Sequence, residues 1–527
     1  MNNIKKYIEL LYNARNKTKR EQLTIVRDIS RRGFLKSIVD VTLFGMFYNV
    51  CCAVPNEYNN FLPDMGDSDR ANLSQSDADF LGKQVILDIY KKREMLNDYD
   101  VLQYLNDIGT NLVSYSPMAG QDFNFYLMKA KDINAFALPG GYICVYNGLI
   151  DCVANEAELA SVMSHEIGHI VQHHIFRNIG IYGRNQWLAI AGLIAGALMA
   201  AVNPGAAVLL ASGGQGLAIQ NILSFSRQFE READRMGQKI MYNAGFDPHA
   251  MPNFFRRLAD NEKFNSNDAL AFLQTHPVTI ERLSEAEERA NQLTVKMRLD
   301  SISFLIMREK CRVRQLGATS AILFYTHAIK NKKYINLSCQ QYGLAYALFL
   351  STKLVVALAT MNKIEDVSVN EHPAYYNLKA QIFAVMQNFA KSERQYLLGL
   401  DSYPSYKGLW LGRVDLYIKF KKYGKASKAL DELTILYPND SDLWLRMATV
   451  YADSALNIAQ KYHYALGNQL YLQGLYELAM EHYKLAIEDK SIKVNGTNDE
   501  LNSQIVAKII DTADKIKNKS KYQNGSF

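Results

Sequence analysis

The sequence of 527 residues has few cysteines, six in all, and two of them lie in its first 55 residues. The other four are Cys144, Cys152, Cys311 and Cys339. Four cysteines in so long a chain do not form a disulfide-stabilised scaffold. None of the four shows the CxxC spacing of a thiolate zinc site, so a metal site of that kind is also excluded.

The chain also lacks an unbroken apolar run of the length that a bilayer span requires, about twenty residues. The apolar run Trp187–Leu210 is interrupted after about sixteen residues by Asn203-Pro204. We interpret it as a pair of buried helices and a candidate lid. Gly192 and Gly196 have GxxxG spacing, so contact with a membrane through this run stays an alternative.

Outside the N-terminal segment there is no excess of either charge. The whole chain carries +6, but residues 1–36 hold ten Lys and Arg against three acidic residues, which leaves the other 491 residues at −1. A nucleic-acid-binding body would need a basic face, so the sequence predicts no nucleic-acid partner. With 48% hydrophobic and 21% charged residues, the composition excludes a disordered or fibrous protein. The length predicts roughly two to four domains.

Residues 1–55 have the order of an export signal. The stretch Ser30–Lys36 contains Arg31-Arg32, leads into the apolar segment Ile38–Val50 and is followed by Cys51-Cys52-Ala53. A basic region, an apolar region and small exit residues are the parts of a secretory signal, and the paired arginines resemble a twin-arginine signal. The sequence therefore predicts export to the periplasm. An uncleaved membrane anchor and a lipid attached to one of the two cysteines are the alternatives.

The pattern along the body predicts a mainly α protein of the α+β class. Residues 56–78 are polar and rich in turn formers and predict a linker. Helical spacing begins at Asp79, strand-like alternation follows at Phe123–Leu127, and a turn at Pro139-Gly140-Gly141 separates two further strands. A small sheet is therefore expected before a long helix that starts near Asn155.

The C-terminal part repeats with a period of 34 residues. Tyr403-Pro404 and Tyr437-Pro438 are separated by 34 residues, as are Trp410 and Trp444. This is the tetratricopeptide period, and such repeats stack into an α-solenoid whose concave surface binds other chains. We therefore predict a tetratricopeptide-repeat domain over residues 316–509, followed by a polar tail, residues 510–527. A helical bundle with coincidental spacing is the alternative.

The predicted helix from Asn155 carries the HExxH motif His165-Glu166-Ile167-Gly168-His169. Side chains four residues apart share a helix face, so both imidazoles can bind one metal ion while Glu166 lies beside its water. Zinc accepts nitrogen and oxygen ligands, and a catalytic site needs only three from the protein. The motif thus predicts one Zn²⁺ per chain, bound by His165 and His169, with Glu166 as the general base of peptide-bond hydrolysis.

No histidine completes a metzincin-type extension after this motif, so the third ligand is expected from another segment. Glu230 and Asp234 lie four residues apart on another predicted helix and share one face. We assign Glu230 as the third zinc ligand and Asp234 as the hydrogen-bond partner of a ligand histidine; an exposed carboxylate is the alternative for Asp234. Glu232 is expected to face solvent, and His173 and His174 to be packed or solvated side chains rather than ligands.

The chain resembles the gluzincin zinc metallopeptidases that include the CAAX-prenyl endopeptidase and the heat-shock membrane protease, because its motifs occur in the same order. The resemblance rests on Ala137–Gly141, the HExxH and ExxxD motifs, Thr275-His276-Pro277 and the repeats, and it covers most of the chain. It implies a helical, zincin-type metallopeptidase domain over residues 79–300, with substrate pairing along Asn134–Leu138 by β-augmentation. It also implies that His276 acts near the metal, either as a removable fourth ligand or as a stabiliser of the oxyanion.

Together these expectations describe an exported zinc metalloendopeptidase that hydrolyses misfolded or stalled envelope proteins. Its repeat domain would bind protein clients or partners, and the resemblance implies that the partners belong to the outer-membrane assembly machinery. Two alternatives remain at this point. One is a protein-binding chaperone or adaptor with a latent metal site, and the other is an inert structural zinc site.

Overall fold

The computed structural model describes residues 75–179, 226–259, 270–295, 297–452, 459–488 and 498–524. The predicted export segment, residues 1–55, and the apolar run Trp187–Leu210 lie outside these described residues. Within the part of the chain that the structure does describe, no helix combines the length and apolar character that crossing a membrane would require.

The N-terminal region consists of a small sheet and the helices packed around it. Its strands are β1 (Asn124–Met128), β2 (Ala135–Leu138) and β3 (Tyr142–Tyr146). Its helices are α1 (Gln75–Lys91), α2 (Tyr99–Ser114), α3 (Asn147–Cys152), α4 (Glu156–Val171), α5 (His174–Ile179), α6 (Arg227–Asn243), α7 (Ala250–Ala259), α8 (Leu270–Thr275) and α9 (Ile280–Asn291). The mainly helical domain with a small sheet is therefore confirmed.

The sheet has the strand order β1-β3-β2. β1 runs parallel to β3, with Asn124 opposite Tyr142, and β2 runs antiparallel to β3, with Ala135 opposite Val145. The strand, turn and strand predicted around Pro139-Gly140-Gly141 form the β2-β3 hairpin. This topology leaves β2 at one edge of the described sheet, beside α4.

Helix α1 begins at Gln75, inside the stretch that the composition predicts as a linker. The reason is apolar burial, because Leu81, Val85 and Ile89 pack with Phe136 and Cys144 of the sheet. The sequence before Asp79 is mostly polar, but packing of the apolar side chains of α1 against the sheet stabilises a helix that begins within this polar stretch.

The C-terminal region is a series of consecutive helices. Its helices are α10 (Ile302–Leu316), α11 (Ala318–Lys330), α12 (Leu337–Leu350), α13 (Leu354–Met361), α14 (Val367–Asn370), α15 (Pro373–Val385), α16 (Phe389–Ser402), α17 (Lys407–Lys419), α18 (Tyr423–Leu436), α19 (Ser441–Ala452), α20 (Ala459–Leu472), α21 (Tyr476–Glu488) and α22 (Asn498–Asn524). Successive helices in this series pack against each other, as in an α-solenoid.

The predicted 34-residue period reappears as a repeated contact. The indole nitrogen of Trp410 donates to the carbonyl of Pro404 over 2.7 Å, and that of Trp444 donates to the carbonyl of Pro438 over 2.9 Å. Equivalent residues therefore close equivalent turns in consecutive repeats, which confirms the repeat pattern. The helical structure does not end at residue 509, since α22 continues through the predicted polar tail to Asn524.

Helix α10 joins the two regions through a buried ionic cluster. Lys310 donates to Asp98 over 2.8 Å and to Asp100 over 2.6 Å. Asp98 also caps α2, and Asp100 accepts two further hydrogen bonds from the side-chain amide of Asn377 in α15. Burial alone would lower the pKa of Lys310, but Asp100 and Asp98 raise it well above its usual value. The N-terminal region and the repeats are thus joined by paired charges.

Removing this ammonium group should destabilise the whole chain. In Lys310→Met the buried carboxylate of Asp100 loses its cation, whereas Asp98 keeps its ion pair with Arg314. Removing one partner costs about 3–5 kcal/mol in comparable buried pairs. We expect the free energy of unfolding, measured by denaturant titration, to fall by that amount. The exposed Lys363→Met serves as the control and should leave it unchanged; equal midpoints for the two variants would contradict the prediction.

Candidate active site

Two helices, α4 and α6, cross at very short distance and carry the predicted site residues. Asn155 caps α4 by accepting from the backbone of Glu158, and Ser226 caps α6 by accepting from that of Phe229. Gly237 in α6 lies against α4, because a Cβ atom there would stand 2.8 Å from the backbone nitrogen of His165. Only a residue without a side chain permits this approach.

The close crossing brings four ligand-type side chains together, all of them buried. The Nε2 atoms of His165 and His169 lie 3.0 Å apart. Glu230 places its carboxylate oxygens 3.5 Å from the first and 3.4 Å from the second. His276, which follows α8, places Nδ1 3.1 Å from Glu230 and 3.3 Å from His165. The ligand atoms all lie within 4.8 Å of one another.

Asp234 lies behind His165, on the side away from the cluster. Its Oδ1 atom is 2.9 Å from Nδ1 of His165. The carboxylate is buried and receives two hydrogen bonds from Arg282, of 2.7 and 2.8 Å. This is the position predicted for it, next to a histidine of the cluster, and the exposed-carboxylate alternative for Asp234 is wrong.

Arg282 is a residue of the site that sequence reasoning missed. Besides Asp234, its guanidinium lies 2.8 Å from Glu230 and donates to the carbonyl of Pro277 over 2.7 Å. It is 2% exposed, so one buried cation compensates two buried carboxylates. The available signal was that Glu230 and Asp234, once placed in a core, require a cation, and Arg282 follows Thr275-His276-Pro277 closely.

Glu232 faces away from the cluster and is 29% exposed, in line with the expectation, but its carboxylate is also paired. Its carboxylate lies 3.1 Å from Nε2 of His174 and 2.6 Å from Arg177, and it accepts a hydrogen bond from Gln228. His174 was expected to be either packed or solvated, and it is packed, with no exposed surface. Its Nδ1 lies 2.9 Å from Nδ1 of His169. His173 lies between α4 and α5 and has a positive φ of 53°.

Glu166 is completely buried beside the cluster, and neither of its carboxylate oxygens has a hydrogen-bond partner among the described residues. Nε2 of His276 lies 3.5 Å from one of these oxygens. Burial raises the pKa of the Glu166 carboxyl. A buried carboxyl without a partner needs a polar group to complete it, and water or a polar substrate group next to a metal would do so. The donor set of two imidazoles and a carboxylate fits zinc.

The ionisation states of Glu230 and His169 suit metal binding, whereas His165 in the metal-free protein has a raised pKa. Burial alone would raise the pKa of Glu230, but His276 and Arg282 hold it well below its ordinary value. Burial lowers the pKa of His169 well below its ordinary range, so this imidazole is neutral. For His165 burial lowers the pKa, yet the hydrogen bonds with Asp234 and Glu230 outweigh it and raise the pKa to about 10.

Comparison with known proteins gives a consistent result. Residues 102–290 match Peptidase family M48. The chain is 30% identical over 403 residues to the beta-barrel assembly-enhancing protease of Escherichia coli (strain K12), covering 75% of this chain and 80% of that protein. It is 29% identical over 241 residues to the mitochondrial metalloendopeptidase OMA1 of Schizosaccharomyces pombe, covering 44% of this chain and 66% of that one.

A solved tetratricopeptide repeat protein from Parabacteroides merdae covers 49% of this chain and 97% of its own, at 16% identity and a TM-score of 0.28. A score this low carries no argument, so the repeat assignment rests on the period and the repeated tryptophan contacts described above.

The close crossing of α4 and α6 can be tested at one glycine. In Gly237→Ala the new methyl group meets backbone atoms of His165 and Ser164 at 2.8–2.9 Å, so the helices must separate. We expect a loss of about 1–3 kcal/mol in the free energy of unfolding, together with weaker zinc binding. The control is Gly424→Ala, also within a helix but with no atom within 4 Å of the added group. Equal stability and zinc content in the two variants would contradict the crossing as described.

Proposed function

Since this chain belongs to Peptidase family M48 and is a zinc metalloendopeptidase of the gluzincin type, we propose that His165, His169 and Glu230 are its metal ligands and Glu166 its general base. The observation that carries the assignment is the buried cluster of ligand atoms with an unpartnered carboxyl beside it. When bound, zinc polarises the peptide carbonyl and lowers the pKa of water.

The protein's own residues would divide the remaining work. Glu166 takes the proton of the attacking water at one carboxylate oxygen, and its raised pKa suits it to pass that proton to the leaving amine. Asp234 accepts from Nδ1 of His165 and so keeps the Nε2 lone pair directed at the metal. Arg282 holds Glu230 and Asp234 at fixed positions.

His276 is proposed to act at the same centre. Its Nδ1 lies among the ligand atoms, which favours a removable fourth ligand, whereas its Nε2 lies 3.5 Å from Glu166, where a stabiliser of the oxyanion would also be placed. Of the two alternatives, the ligand role fits the arrangement described here better, because three of its neighbours are themselves ligand-type groups.

For substrate binding we propose that an extended peptide adds to β2, over Asn134–Leu138. This strand lies at the edge of the described sheet and directly beside α4, so a peptide paired with it would pass Glu166. Backbone pairing reads no side chains, which suits a protease that acts on several unfolded clients.

The proposed clients are misfolded or stalled proteins of the bacterial envelope, and the proposed location is the periplasm, reached by the twin-arginine route. The support is the signal-like order of residues 1–55 and the name of the relative, a beta-barrel assembly-enhancing protease. The repeat domain is proposed to bind clients or the outer-membrane assembly machinery. Helices α12, α15, α17 and α19 of this domain border an open cavity of about 720 Å³ with both charged and apolar walls, and α2 and α10 line its other side.

The enzymatic role can be tested by Glu166→Gln, which keeps the shape of the side chain but removes the base. We expect hydrolysis of an unfolded envelope protein to slow by about 10²–10⁴-fold, the usual contribution of such a group. About one zinc per chain should remain bound, measured by metal analysis. The exposed Glu365→Gln is the control and should keep full activity.

The same variant separates the protease from the chaperone or adaptor alternative. If Glu166→Gln abolishes both client cleavage and the cellular phenotype of the wild-type protein, proteolysis is the function. If the phenotype survives without cleavage, the chain acts by binding, with its metal site latent.

Zinc affinity should depend on pH in a direction set by His165. In the metal-free protein its pKa is about 10, so at neutral pH the imidazole is protonated and must lose the proton before it can bind zinc. The apparent affinity, measured by competition with a chelator, should therefore rise about tenfold for each pH unit between pH 7 and 9. In Asp234→Asn the pKa of His165 falls, and the slope should flatten. An equally steep slope in that variant would contradict the assignment.

A further inference from the structure

His174 lies between a proposed zinc ligand and a surface ion pair. It is fully buried, and its ring stacks on that of Phe229 with centroids 4.5 Å apart and an angle of 8°. Its Nδ1 atom lies 2.9 Å from Nδ1 of His169, and its Nε2 atom lies 3.1 Å from Glu232. Both ring nitrogens of His174 therefore face polar partners.

The direction of these hydrogen bonds follows from the cluster. His169 turns Nε2 toward His165 and Glu230, so a metal there takes the lone pair of Nε2 and leaves the proton on Nδ1. Nδ1 of His174 lies 2.9 Å away and can accept that proton, in which case His174 carries its own proton on Nε2 and donates it to the Glu232 carboxylate. This arrangement of protons along His169, His174 and Glu232 is compatible with a metal bound at Nε2 of His169.

The far end of this chain is itself anchored. Glu232 accepts from Arg177 over 2.6 Å and from Gln228 over 2.8 Å. The guanidinium of Arg177 lies 4.2 Å above the ring of Phe229, on which His174 also stacks. Glu232, Gln228 and Phe229 belong to α6, whereas His174 and Arg177 belong to α5, so the contacts tie these two helices together.

We propose that His174 is a positioning residue of the zinc centre: it holds the imidazole of His169 in the tautomer and orientation that present Nε2 to the metal. Glu232 and Arg177 in turn fix His174. The inference rests on the proposed ligand role of His169. It makes His174 the counterpart of Asp234, which faces His165 in the same way.

A neutral imidazole suits this position for an electrostatic reason. Glu166, Glu230 and Asp234 are already buried around the cluster, with Arg282 as the cation bonded to two of them. A further carboxylate behind His169 would add a buried negative charge without a partner. His174 offers a hydrogen-bond acceptor without that charge and moves the carboxylate, Glu232, to a position 29% exposed.

The test compares the zinc affinities of two substitutions at His174 by chelator competition. His174→Phe keeps a ring that can stack on Phe229 but offers no acceptor, and we expect affinity to fall about 10–100-fold. In His174→Asn the amide oxygen can take the place of Nδ1 and accept from His169, so most of the affinity should return. The exposed His327→Phe is the control and should bind zinc like the wild type.

A second position guards against a folding defect at the buried one. Glu232→Leu changes a partly exposed side chain that can be replaced without opening the core, and it should weaken zinc binding in the same direction but less than His174→Phe. Thermal unfolding of the metal-free proteins should be similar for all of these variants. Rescue by asparagine together with the Glu232 effect supports positioning; equal weakness of the phenylalanine and asparagine variants, or wild-type affinity in both, overturns it.

His169→Ala, measured in parallel, separates this inference from the proposed function. Loss of zinc in His169→Ala with unchanged affinity in His174→Phe would overturn only the positioning role. Unchanged affinity in His169→Ala would overturn the ligand assignment itself.

Discussion

The close contact between α4 and α6 determines the geometry of the zinc centre. At Gly237 the two backbones approach so closely that even a methyl group would overlap the amide of His165. Because HExxH lies on one helix and ExxxD on the other, this spacing sets the distances from His165 and His169 to Glu230. It also places Asp234 behind His165, with a carboxylate oxygen 2.9 Å from Nδ1 of the ring. The positions of the proposed ligands, base and supporting carboxylate therefore follow from one packing constraint.

The buried charges depend on the same crossing. Glu230 and Asp234 could not remain ionised in a core without a cation, and Arg282 reaches both from α9. The guanidinium also binds the carbonyl of Pro277, adjacent to His276. Two segments that are distant in sequence, α6 and residues 277–282, thus meet through one side chain, and a change in either alters the surroundings of the proposed metal ligands.

Local rules recovered much of this arrangement from the sequence. Spacing of four residues paired His165 with His169 and Glu230 with Asp234, because a helix brings such positions to one face. The 34-residue period likewise identified the repeats. Arg282 and the pairing of His174 with Glu232 were not predictable in this way, because each joins helices separated by 48 or 58 residues. The helical position of Glu232 indicates that it faces away from the cluster. It does not reveal that His174 of the neighbouring helix α5 contacts its carboxylate. The extent of α22 was missed for a related reason: composition reports polarity, whereas burial of single residues such as Thr512, within the predicted tail, accompanies the continued helix.

The cluster of Lys310, Asp98, Asp100 and Asn377 bears on where a bound client would be cleaved. It fixes the first repeats to the peptidase region, and a shared apolar core continues across the same boundary. The first repeats and the region that carries Glu166 therefore belong to one packed unit. A client held on the repeats would present to the base only those peptide bonds that lie a set length of chain from its bound segment. In such an arrangement the cleavage position would be set by the length of unfolded chain between the bound segment and the active site. The residues beside the cleaved bond would matter less.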